Sequence, residues 1–291
     1  MPESYTSANE YFASRFGRKT YRLALSSAHT CPNRDGALSK EGCSFCAEGS
    51  AHFAKDASDI DKAIDDAKSL VANKAGKDCA YIAYFQSYTS TYLPLEKQRE
   101  LFFAAAQRED IYALSIATRP DCIPSFVLEM LKELNRVKPV FIELGLQTSN
   151  DRTAKLINRR FTLNSYKDAV KRVTLAGMEV ITHVIIGLPG ETKEDVKNTV
   201  LDAYQAGSRG VKLQLLHILK GTPFYDEYIK GRLSCLELNE YIDILKYVIS
   251  HIPKDMVVHR LTGDGAKSLL AAPMWSADKK RVLNEIKRCI K

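Results

Sequence analysis

The sequence predicts one α/β domain built on a parallel sheet, and three observations carry that expectation. Strand-like and helix-like segments alternate, in six β-then-α units at roughly thirty-residue spacing, as parallel strands with helical crossovers require. The 291 residues are 45% hydrophobic, enough to bury one large core. No linker, low-complexity run or whole-unit repeat divides the chain.

A helical stretch at Ala8–Phe16 comes first, then strand Thr20–Ser26, which runs straight into a cysteine-bearing loop. Residues 59–74 have apolar positions at helical spacing, and 79–86 (CAYIAYFQ) is rich in aromatic and β-forming residues. Helix Leu95–Gln107, strand Ile111–Thr118, helix 124–135 and strand 139–147 (PVFIELGLQ) follow. Helices at 150–158 and 164–176, strand 179–187, helix Lys193–Ala206 and strand 211–219 complete the six units. Another strand is expected at 256–260, ending in a glycine turn beside the opening of the sheet's active face.

Sheets of this kind place their chemistry at the carboxyl ends of the strands. There lie the cysteine loop, Gln86-Ser87-Tyr88, Thr118-Arg119-Pro120-Asp121, Gln147 and the GLPG run at 187–190.

The most informative segment is TCPNRDGALSKEGCSFC, with Cys43 and Cys46 as a C-x-x-C and Cys31 twelve residues upstream. Iron–sulfur clusters are held by thiolates, and a four-iron cluster has four corners. Three thiolates on one loop leave one iron open to a ligand that is not protein, the chemical signature of a cluster that binds and cleaves S-adenosylmethionine (SAM). A structural zinc site is the alternative, closed by His29 or His52, because the other cysteines (Cys79, Cys122, Cys235, Cys289) are scattered singly. A disulfide framework is disfavoured by the odd count of seven and the absence of a secretory signal. No run approaches ~20 apolar residues, so a cytoplasmic protein with no membrane partner is expected. The net charge of +7 permits a polyanionic partner.

With AYFQSYTSTY, SIATRPD, IELGLQTSND, NRRFT, HVIIGLPGET, LLHILKGTPFY, VHRLTGDG and APMWSADKK added to the cysteine loop, the chain resembles the radical SAM superfamily. Within it, the chain is similar to the YhcC/YtqA-like family. That resemblance implies a six-unit (βα) partial TIM barrel over residues 1–220, N-terminal helix included, with 221–291 as a C-terminal extension packed on the same domain. It also implies an enzyme with two cofactors, SAM and a 4Fe–4S cluster on Cys31, Cys43 and Cys46. The open iron takes the amino and carboxylate groups of SAM. Reductive cleavage then gives methionine and a 5′-deoxyadenosyl radical that abstracts hydrogen from substrate.

The same resemblance implies SAM contacts. Phe45 falls where relatives pack an aromatic near the adenine. Gln86, Ser87 and Tyr88 stand where many relatives hold the methionine amino group with a glycine-rich motif, although the glycines are missing here. Gln147 and Arg159 match a spacing seen in the oxygen-independent coproporphyrinogen oxidase branch, where the guanidinium takes the SAM carboxylate by a paired contact. The other reading of Arg159 is a solvated helix-end charge beside Arg160. His183 matches a ribose-binding position, or else is a satisfied core histidine. Ala117 replaces a SAM-contacting glutamate, so that contact is expected to be absent.

TRPD and IELGLQ also resemble the Elongator catalytic subunit, which modifies the wobble uridine of tRNA. The resemblance thus implies a tRNA substrate, a radical step on that uridine or its side chain without acetyl delivery, and an electron donor such as flavodoxin or ferredoxin. Phosphate contacts are expected from clusters at Arg15/Arg18/Lys19/Arg22, Arg159/Arg160/Lys171/Arg172 and Lys279/Lys280/Arg281/Lys287/Arg288, with base stacking on Tyr84, Tyr88 or Tyr92. Arg119, Asp121, His259, Arg260 and Asp264 are the other substrate candidates. Two other functions fit the residues: radical chemistry on a small metabolite or peptide, and a non-catalytic zinc-bound RNA module.

Overall fold

The computed structural model describes residues 5–27, 30–47, 54–76, 78–263 and 265–290. In chain order the elements are β1 (Thr6–Ser7), α1 (Ala8–Phe16), β2 (Thr20–Ser26), β3 (Lys55–Asp56), α2 (Ile60–Ala75), β4 (Ala80–Phe85) and α3 (Leu95–Gln107). Next come β5 (Ile111–Thr118), α4 (Ser125–Val137), β6 (Val140–Gln147), α5 (Asp151–Leu156), α6 (Leu163–Leu175), β7 (Glu179–Ile186) and α7 (Lys193–Ala206). Last are β8 (Gly210–Leu215), β9 (Ile218–Leu219), α8 (Pro223–Ile229), α9 (Leu238–Ile249), β10 (Val257–Arg260), β11 (Leu270–Ala272) and α10 (Lys279–Cys289).

The main sheet runs β1-β10-β8-β7-β6-β5-β4-β2-β3, and every pairing in it is parallel. Its six central strands, β2 and β4 to β8, are the six expected, each neighbouring the next in sequence order. The chain differs from expectation at two places. The stretch 211–219 is broken: β8 stops at Leu215, and Ile218–Leu219 turns away to pair antiparallel with β11. The segment after 220 also supplies β10, which lies beside β8 inside the main sheet, so the C-terminal residues extend the sheet as well as packing on it.

Local signals start the helices where the sequence places them. Ser7 and Glu10 form a capping box on α1, and Thr192 with Asp195 forms another on α7. Strand alternation then sorts the side chains into two layers. On β2, Leu23 and Leu25 are buried on the outer face, where they join Phe85, Ile116, Ile142 and Leu144 under the helices, while Arg22, Ala24 and Ser26 face inward and stay half-buried. The inner floor is apolar. Phe12 of α1 packs there with Ile82, Ala113, Phe141 and Ile181 and plugs the amino end of the barrel.

The sheet is curled. Lying flat, β2 and β10 would stand about 29 Å apart across six spacings of ~4.8 Å. Instead Arg22 Nη2 of β2 donates to His259 Nδ1 of β10 at 2.5 Å. One strand further in on each side, Lys212 Nζ of β8 donates to Tyr84 Oη of β4 at 2.8 Å. This is a partial barrel with helices outside and a polar lumen inside.

Candidate functional site

The cysteine loop caps the carboxyl end of this barrel. Its shape comes from local turns: Cys46 N–H donates to the Cys43 carbonyl at 2.9 Å, and Arg34 N–H donates to that of Cys31 at 2.7 Å. The loop is clamped to the segment after α5. Asn33 Nδ2 donates to the Asn158 carbonyl at 2.7 Å, and Asn158 Nδ2 donates to the Gly42 carbonyl at 2.6 Å. Ser44 N–H donates to the Ile157 carbonyl at 3.0 Å and its hydroxyl to the Leu156 carbonyl at 3.2 Å. Asn33, Ser44 and Asn158 did not stand out in the sequence, because their partners lie over a hundred residues away.

All three cysteines of the loop line one cavity of about 170 Å³, together with Phe45, Gln86, Tyr88, Arg119, Gln147, Arg159 and His183. None of the three is in a disulfide. Asn33 Nδ2 stands 3.4 Å from Cys43 Sγ. Burial, reinforced by the neighbouring Cys46, pushes the Cys43 thiol up to about 12. Among the described residues no three of His, Cys, Asp and Glu converge as ligands of a single ion do. His29 and His52, the zinc-closing candidates, lie outside the described residues.

The cavity holds polar atoms with no partner in the protein. Gln86 Nε2, Gln147 Oε1 and Asn33 Oδ1 are buried and unbonded, a costly state that an incoming polar ligand relieves. Tyr88 and Gln147 sit at φ 50° and 67°. A non-glycine residue held in that left-handed region costs about 1–3 kcal/mol, strain that clusters at ligand sites. The Gln147 amide folds back over Gly145, where a Cβ would meet its Nε2 at 2.8 Å. Ser87, by contrast, is buried and does not line the cavity.

Arg159 is not a solvated helix-end charge: it is 1% exposed. Nη1 donates to the Leu146 carbonyl at 2.7 Å and to that of Thr148, and Nε and Nη2 donate to the Phe161 carbonyl at 3.2 and 3.0 Å. Of the five guanidinium donors, one N–H on Nη2 is left over. A paired fork on a carboxylate is therefore replaced by a single donor. No carboxylate forms an ion pair with Arg159 among the described residues, and burial pulls its pKa down to about 10, still cationic at neutral pH. Arg119 and Asp121 do pair, at 2.9 and 2.7 Å, and Arg119 Nη1 donates to the Arg159 carbonyl at 3.1 Å. Arg119 thus braces the cavity wall instead of presenting an open fork.

Beneath the cavity lies a charged layer that sequence reasoning did not assemble. Glu143 is fully buried, with Oε1 accepting from Ser115 Oγ at 2.6 Å. Oε2 is 2.6 Å from His183 Nε2 and also accepts from Lys212 Nζ. Burial alone would raise its pKa, but Lys212 and His183 outweigh it and hold the carboxyl well below its ordinary range. His183 is thus a bonded residue whose ring also borders the cavity. Tyr84 is buried against Lys212 and cannot stack a base. Tyr92 faces a separate apolar cavity.

His259 and Arg260 are corrected in place. They lie on β10, in the lumen, with His259 packed on Phe12 and Tyr11 near the floor and not at the opening. Asp264 lies outside the described residues. Two of the expected phosphate patches are thinned: Arg22 and Arg159 point inside, and Arg15, Arg18 and Arg172 pair with Glu179, Asp78 and Asp168, while Lys19, Arg160 and Lys171 stay exposed. Lys279, Lys280 and Arg281 are exposed on the first turn of α10.

Comparison with known proteins agrees with the geometry. The family profile described as the radical SAM superfamily matches residues 27–203, and that of its C-terminal domain matches 208–291. The YtqA protein of Bacillus subtilis is 41% identical over 286 residues, covering 98% of this chain and 88% of its own. The tRNA uridine(34) acetyltransferase of Methanocaldococcus jannaschii is 27% identical over 156 residues, 52% of this chain and 28% of that protein. Among solved structures, the archaeal Elp3 of Methanocaldococcus infernus superposes with a TM-score of 0.68 at 17% identity, covering 94% of this chain and 64% of that one.

Proposed function

Because the chain belongs to the radical SAM superfamily, we propose that it binds a 4Fe–4S cluster through Cys31, Cys43 and Cys46 and SAM beside it, and acts on the wobble uridine of tRNA. The observation that carries the cofactor reading is one cavity combining three thiols, an uncompensated guanidinium and orphaned amides. The bound pair supplies a reductive cleavage of SAM that yields a hydrogen-abstracting radical.

The chain's own part is binding, orientation and exclusion of water. The remaining N–H of Arg159 takes one oxygen of the SAM carboxylate by a charge-assisted bond. Gln147 Oε1 receives the methionine amino group, Gln86 and Tyr88 border it, and Phe45 packs beside the adenine. Glu143 accepts the His183 Nε2 proton, which turns His183 Nδ1 outward as an acceptor for ribose hydroxyls. Arg119 and Asp121 act by bracing the cavity wall.

The substrate reading rests on the likeness to the tRNA uridine(34) acetyltransferase and on the exposed cations of α10, which suit phosphate. It places the protein in the cytoplasm, with a flavodoxin or ferredoxin as reductant. No helix among the described residues is long and apolar enough to cross a membrane. The test compares nucleoside profiles of tRNA from cells with and without the gene. An under-modified wobble uridine should accumulate in the deletion strain. Identical profiles under all growth conditions, with no tRNA binding at low salt, would favour a small metabolite or peptide.

A further inference from the structure

Among the described residues, the lumen below the cavity carries more positive charge than its one carboxylate, Glu143, balances. Among the described residues, Arg22 and Lys212 face the single carboxylate of Glu143, and Lys212 takes it by direct ion pairing. Arg22 has no carboxylate within ion-pair distance among the described residues. Its Nη2 is bonded to His259 Nδ1, which must accept and so leaves that histidine neutral. Its Nε is buried with no partner. Its guanidinium otherwise lies against the Phe12 and Tyr84 rings at 5.3 and 6.0 Å. Arg260 adds positive potential at the same level, as the depressed pKa of Lys212 reflects after the larger effect of burial.

A guanidinium taken from water with no anion is costly, and the inner face of β2 around it is not fully buried. Above the charged layer the inner face carries small residues: Ala24 on β2, Ala117 on β5 and Gly145 on β6. Arg22, Ala24 and Ser26 all remain half-buried instead of filled in, unlike the packed interior of a closed barrel. The shaft is blocked below by Phe12, so a group reaching Arg22 arrives from the cysteine side.

We propose that this lumen binds a carboxylate carried by the substrate, with Arg22 as its principal partner and Lys212 lending charge. The inference deepens the radical SAM reading and rests on it for the word substrate. A carboxylate matches the planar guanidinium fork. A carboxylate's single negative charge also offsets the surplus of Arg22 and Lys212 over Glu143.

The probe is fluoroacetate, followed by fluorine NMR on the full chain before and after anaerobic cluster loading. Saturable line broadening is expected, displaced by acetate and not by ethylammonium. Arg22→Gln should weaken it at least ten-fold with SAM affinity unchanged. Arg22→Lys should retain saturable binding. No saturable binding in either form of the protein, undiminished binding in Arg22→Gln, loss in the Lys variant as complete as in the Gln variant, or tighter binding of inorganic phosphate than of acetate would each overturn the proposal. Because binding is also read without the cluster, its failure is separate from a failure of SAM cleavage.

Discussion

Asn33 and Asn158 hold each other's segments: Asn33 donates to the Asn158 carbonyl, and Asn158 donates to the carbonyl of Gly42 on the loop that carries Asn33. The cysteine loop therefore owes its position to a residue 116 positions away. Asn158 makes this contact at φ 53°, a backbone conformation that glycine adopts without strain. Asn158→Gly should keep the backbone, and with it the bond from Asn33, and lose the bond to the Gly42 carbonyl, a loss of about 0.5–1.5 kcal/mol. The expected result is less iron and sulfide bound per chain at limiting iron, with little change in thermal midpoint. Unchanged loading would show that the loop is positioned without this clamp.

Arg159→Ala should weaken SAM binding while iron content stays intact. One charge-assisted hydrogen bond is worth about 1.5–3 kcal/mol, roughly 10- to 150-fold in affinity. His183→Ala should weaken it less, since ribose hydroxyls are neutral donors. Equilibrium dialysis with labelled SAM measures both, and unchanged affinity in both variants would remove these residues from the SAM site.

The six-strand framework was legible because each unit repeats a strand, a polar carboxyl-end turn and a helix. The cysteine loop was legible because its chemistry sits in one short segment. The charged layer was not. Glu143 lies in an apolar strand, and its partner Lys212 comes from 69 residues away, so only the strand order, with β7 between β6 and β8, brings them together. Arg22 was grouped with a surface cluster on proximity to Arg15, Arg18 and Lys19. The alternation in TYRLALS carried the contrary signal, since it places Arg22 on the face opposite Leu23 and Leu25. Arg159 was ambiguous because nothing local shows that the carbonyls of Leu146, Thr148 and Phe161 converge on it.

Acid stability should depend on Asp110. Its hydrogen bond from Arg108 outweighs burial and, with Lys68, holds the carboxyl at about 2, against an ordinary 3.8. A depressed carboxyl contributes stability that is fully present above its unfolded pKa and is lost as pH falls through the folded one. Asp110→Asn should therefore lower stability at pH 6 and flatten its decline between pH 4 and about 2. Urea unfolding across that range checks it, and an unaltered acid slope would contradict it.

Binding to tRNA should weaken steeply with salt, as lysine–phosphate contacts release counterions. Reversing the charges of Lys279, Lys280 and Arg281 should lower affinity for all tRNAs alike and flatten the salt slope, since phosphate contacts position without specifying. A filter-binding titration at two salt concentrations shows this. Selective loss for one tRNA would instead assign α10 to sequence readout.

The most direct measurement of the central claim is SAM cleavage by anaerobically reconstituted, reduced protein, with metal analysis on the same sample. Four irons and four sulfides per chain are expected, with a paramagnetic spectrum that changes on adding SAM and formation of 5′-deoxyadenosine and methionine. Changing any one of Cys31, Cys43 or Cys46 to Ala should abolish cleavage. Cleavage that survives in the triple Ala variant, or zinc bound without iron and sulfide, would contradict the account.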